Sequence, residues 1–89
     1  MQNTYKFHSD AGHGWLAVPK HEIQELGIAV DISQCSYQKG GMAYLEEDCD
    51  APLFIRTFEA KSKTAIKIIE DVYDGAESPI RNYESYNRF

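Results

Sequence analysis

At 89 residues and 10.2 kDa the chain holds one domain, with no room for a second hydrophobic core. A composition 43% hydrophobic and 12% aromatic excludes a disordered tail, and no apolar run nears the roughly 18 residues of a membrane span. Fourteen acidic against nine basic residues, net charge −5, disfavour direct binding of nucleic acid, whose phosphates call for clustered Lys and Arg. Arg56, Lys61, Lys63 and Lys67 bunch mildly, but Glu59, Glu70 and Asp71 flank them, as on a solvated face. The start, Met1-Gln2-Asn3-Thr4-Tyr5, has neither a basic n-region nor an apolar h-region, so a cytoplasmic location is expected.

Thr4 to His8 and Gly14 to Val18 alternate as two strands, and the turn formers Ser9-Asp10-Ala11-Gly12-His13 close them into a hairpin. Tyr5 and Phe7 share one face; Leu16 and Val18 lie opposite Trp15 and Ala17. Pro19 suits a first helical turn, Ile23 and Leu26 fall at helical spacing, and Gly27 can stop the helix in the left-handed conformation. A second hairpin, Ile32 to Gln38 and Met42 to Glu46, turns on Gly40-Gly41, with Cys35 and Tyr37 facing Ala43 and Leu45 in the core. Leu53, Phe54, Thr57 and Phe58 mark one face of a helix over residues 51–60, with Asp50 or Asp48 as its N-cap. Thr64 to Val72 reads as a last strand, and residues 76–89 as a short helix opened by Ser78-Pro79 or an extended tail. The expected fold is a single α+β domain over residues 1–89, β-β-α-β-β-α-β, with a mainly antiparallel sheet and the helices on one face.

Three groups of residues bear on chemistry. His8, Asp10 and His13 on a Gly-rich turn could converge on a divalent metal that supports hydrolysis, or could be turn formers and exposed histidines. As a Ser-His-Asp relay, His8-Ser9-Asp10 fails, because consecutive residues point apart. Glu46, Glu47, Asp48 and Asp50 lack the alternation and central Gly of a calcium loop, which leaves helix capping, solvated surface, a partner-facing patch, or another metal or paired-carboxylate site. Tyr83, Tyr86 and Phe89 supply the aromatic residues common at interface hot spots. Cys35 and Cys49 are expected as two reduced thiols, too far apart to bond. The phosphate-loop, dinucleotide, CxxC and HExxH patterns are absent, so no cofactor is expected.

Asp10-Ala11-Gly12-His13-Gly14-Trp15-Leu16, Val18-Pro19, Leu26-Gly27-Ile28 and Tyr44-Leu45-Glu46-Glu47-Asp48-Cys49-Asp50-Ala51 resemble a family of small bacterial proteins of unknown function, found in phages, prophages, plasmids and chromosomes. The resemblance spans most of residues 7–60 and thins over the C-terminal third. It implies a bacterial or phage origin and assigns no activity or functional residue. The expected role is a non-enzymatic accessory or regulatory domain binding another protein through Glu46, Glu47, Asp48 and Asp50 or through Tyr83, Tyr86 and Phe89. The alternative is a small metal-binding protein or metal-dependent hydrolase built on His8, Asp10 and His13.

Overall fold

The fold is described over residues 2–89 of a computed structural model. Asp10 closes the first hairpin: its carboxylate accepts from the Gly12 and His13 N–H groups at 3.0 and 2.9 Å, fixing the turn between β1 (Thr4–Ser9) and β2 (Gly14–Pro19). Gly14 has an ordinary φ. It is small because the Phe7 ring lies against it, 2.3 Å from where a Cβ would stand. β2 runs directly into α1 (Lys20–Glu25), and Gly27, at φ 76°, turns the chain so that Ile28 folds back into the core.

The second hairpin is shorter than expected. β3 (Tyr37–Lys39) turns through Gly40, at φ 61°, into β4 (Met42–Glu46), whereas residues 29–31 form a 3-10 turn and residues 32–36 are irregular. Ser36 is the cause. Its hydroxyl donates to the Asp50 carboxylate and accepts from the Glu46 N–H at 2.9 Å, which turns Ser36 inward and its neighbour Cys35 outward. Cys35 is therefore exposed rather than in the core, and Gln38, not Tyr37, stands opposite Ala43.

α2 (Asp50–Ser62) begins at the expected place but is not capped by Asp50 or Asp48. Cys49 holds the cap position, and the Glu46 carboxylate accepts from the Asp48 and Cys49 N–H groups. Lys63, at φ 58°, ends the helix in the left-handed conformation. β5 (Lys67–Val72) lies parallel to β1, so β4-α2-β5 is a crossover that passes β2 and β1. A 3-10 turn (Pro79–Asn82), capped by Ser78, leads to the two-residue β6 (Glu84–Ser85) on β3. The C-terminal segment thus opens with the short helix expected at Ser78-Pro79, of the 3-10 kind, and continues as a strand on β3. The sheet order is β5-β1-β2-β4-β3-β6, antiparallel except at β1–β5.

One face of the sheet carries the core: Tyr5, Leu16, Val18, Ala43 and Leu45 meet Ile23 of α1 and Phe54 and Phe58 of α2, so both helices cover the same side. The Tyr5 hydroxyl donates to buried Glu22 at 2.6 Å, and burial together with that carboxylate raises its pKa. On the opposite face Trp15 and Ala17 are also buried. The cover there is the C-terminal segment, with Arg81 5.8 Å from the Trp15 ring and Tyr83 edge-on to Tyr44. No helix among the described residues is long and apolar enough to cross a membrane.

Candidate functional site

The histidine–glycine turn is a clamp on the C-terminal segment. Asp10 accepts two hydrogen bonds from Arg81, from Nε at 2.7 Å and from Nη2 at 2.8 Å, and a third from the Ser78 N–H at 2.7 Å. The Arg81 guanidinium, the Ser78 amide and the turn amides hold the Asp10 carboxyl well below the usual carboxylate range, outweighing the opposing effect of burial. The native state thus binds fewer protons at Asp10 than the unfolded chain. The stabilisation is full above the unfolded carboxylate pKa of about 4 and is lost as pH falls toward the lower native value. Melting temperatures of wild type and Asp10→Asn are expected to differ most at neutral pH and to converge steadily below about pH 4. A gap independent of pH would mean that the carboxylate charge does not hold the clamp.

The imidazole rings of His8 and His13 take no part in that cluster. His8 Nδ1 lies 3.3 Å from Asp71 Oδ2, and its ring tilts against Tyr44 at 6.0 Å, while the exposed His13 stacks at a tilt on Trp15. Among the described residues no three His, Cys, Asp or Glu side chains stand where they could hold one metal ion, so His8, Asp10 and His13 are not brought together for that purpose. Ser78 lines the same recess as His8 and Asp71, but its hydroxyl caps the 3-10 turn by accepting from the Ile80 N–H.

A cleft of about 430 Å³ opens beside Trp15 and Tyr37, between Cys35 and Cys49 and against Glu46 and Asp48. Both thiols are free and exposed. Partial desolvation and the nearby Glu46 and Asp50 carboxylates push the Cys49 thiol up, which disfavours its thiolate. The expected partner-binding residues divide. Glu47, Asp48 and Phe89 are exposed; Glu46 is half-buried at the helix start; Tyr83 is half-buried between Tyr44 and Lys39. Asp50 is buried on Ser33 and Ser36, and Tyr86 is buried with its hydroxyl donating to the Ala29 carbonyl at 2.9 Å, so neither can meet a partner.

A run of exposed apolar side chains lies on β5, whose six residues are all exposed. Ile68, Ile69, Val72 and the adjoining Tyr73 remain 47%, 53%, 66% and 45% accessible, at the outer edge of the sheet. A signal for this was present. In Lys67-Ile68-Ile69-Glu70-Asp71-Val72 a period of two puts a carboxylate on each face, a pattern unsuited to burying either.

No protein-family model, curated protein or solved structure matches the chain. Its function therefore rests on its own geometry. Lys67 N–H donates to the Asn3 carbonyl at 2.8 Å and Tyr73 N–H to the Ser9 carbonyl at 2.7 Å. Residues 67, 69, 71 and 73 thus turn their backbone groups toward β1. Ile68, Glu70 and Val72 turn theirs outward, an unpaired row beside exposed side chains.

Proposed function

We propose that the chain is a non-enzymatic protein-binding module that takes an extended strand of protein onto β5. The supporting observation is the outward backbone row of Ile68, Glu70 and Val72 flanked by exposed Ile68, Ile69, Val72 and Tyr73. Strand addition draws affinity from main-chain hydrogen bonds and selectivity from alternate side chains, and this edge offers both. The Asp10–Ala51 pattern resembling small bacterial and phage proteins supports a role as a cytoplasmic accessory or regulatory domain of a bacterium or its mobile elements.

Selection from a displayed library of random heptapeptides tests the reading. Selected peptides are expected to shift the amide resonances of residues 68–73 and to lose most of their affinity for Glu70→Pro. That variant removes an outward N–H while sparing the ladder to β1. Failure to select any peptide with a chain that sediments as a monomer, or selection of peptides that shift only the Trp15 cleft or Glu47 and Asp48, would refute it.

A further inference from the structure

We infer that the strand received by β5 is β5 of a second copy of this chain, antiparallel across a two-fold axis at Ile69; the inference rests on the strand-addition reading. Backbone geometry restricts the registers. Only Ile68, Glu70 and Val72 direct N–H and C=O outward, and an antiparallel neighbour must set such residues opposite one another. A two-fold axis can then fall at residue 68, 69, 70, 71 or 72, and at 72 Glu70 would face the partner's Asp74, two carboxylates together.

Charge chooses among these. An axis at Glu70 or Asp71 sets like carboxylates face to face, which is unfavourable. With the axis at Ile68, Lys67 faces the partner's Ile69 and no ion pair forms. At Ile69, Lys67 stands opposite the partner's Asp71 and the pair is repeated by symmetry. Ile69 meets the partner's Ile69 in a non-hydrogen-bonded pair, where side chains approach most closely. Ile68 and the partner's Glu70 then exchange main-chain hydrogen bonds. Asp71 can serve such a pair: its side chain is 57% exposed although one oxygen lies near His8. The charges on β5 would repel most apolar strands, so they act here as a key to this one register.

The two-fold axis stands perpendicular to the joined sheet, so both helical layers lie on the same side. Ile68 and Val72 share the face of Tyr5 and Phe7, so in the dimer they lie on the helical side of the joined sheet.

Sedimentation of the full chain over two decades of concentration provides the test, with circular dichroism confirming that each variant is folded. The wild-type chain is expected to pass from monomer to dimer. Ile69→Lys, at an exposed position, is expected to weaken the dimer roughly tenfold or more by opposing two lysines at the axis. Lys67→Asp is expected to weaken it similarly, and adding Asp71→Lys in the same chain to restore it, because the exchange preserves the pair. A monomer at every concentration overturns the inference, as does a dimer indifferent to Ile69→Lys; a loss that the exchange does not restore overturns the register. A monomeric chain that still binds selected peptides at residues 68–73 refutes the dimer while leaving strand addition standing. A monomer with no such binding refutes both.

Discussion

Phe54→Ala is expected to cost about 3–5 kcal/mol, the range for emptying a buried aromatic site. Phe54 has no accessible surface and lies where α2 meets the sheet, edge-on to Tyr5 with ring centroids 5.3 Å apart and tilted against Phe58 at 6.0 Å. Removing the ring takes away its own transfer free energy and the aromatic contacts with both neighbours. It also leaves a void that this small core can only partly close. A domain of this length has a total stability on the order of 4–13 kcal/mol, so the variant should be largely unfolded near body temperature or melt far below wild type. Urea denaturation followed by circular dichroism measures the loss. A cost under about 1 kcal/mol would mean that α2 does not close the core.

Asp50→Ala is the second large effect, about 3 kcal/mol, and its origin is polar. The buried carboxylate accepts from the Ser33 N–H at 3.1 Å, the Ser33 hydroxyl at 2.8 Å and the Ser36 hydroxyl, joining the loop before β3 to the first residue of α2. Truncation leaves the buried Ser36 hydroxyl and the half-buried Ser33 donors without their acceptor, and the desolvation cost of unmatched groups exceeds the net worth of a hydrogen bond. Ser36→Ala should cost less, and the double variant less than the sum of the two, because the groups act as one network. Additive losses in the same urea experiment would show that the carboxylate and the hydroxyl stabilise the chain independently.

Much of the fold was legible because it is local. Period-two alternation located β1, β2 and β4; Gly27 ended the first helix at φ 76°; Leu53 to Phe58 marked the buried side of α2. What escaped depends on partners distant in the chain. A strand running from Ile32 to Gln38 is the local expectation, yet Asp50 draws Ser33 and Ser36 away from strand pairing. Asp50 looked like a helix cap because composition cannot tell whether a carboxylate bonds its own helix or a remote loop. The same holds for Arg81, an unremarked cation in the tail until Asp10 is seen beside it. The parallel pairing of β5 with β1 has no local signature, so the exposed edge it creates could be read only from the mismatch of charge and alternation within β5.

The Asp10–Arg81 clamp joins groups 71 residues apart in the chain and lies over Trp15, the single tryptophan. Its consequence is kinetic. The two hairpins and the helices can form from near neighbours, but Arg81 must arrive from the far end before Trp15 is covered. During synthesis the indole waits in water until residues 78–83 have emerged, even if the opposite face of the sheet has already packed. Tryptophan emission therefore follows the closing of the C-terminal segment, and far-ultraviolet dichroism follows the assembly beneath it. The molecule carries a built-in optical reporter for the closing of its C-terminal segment.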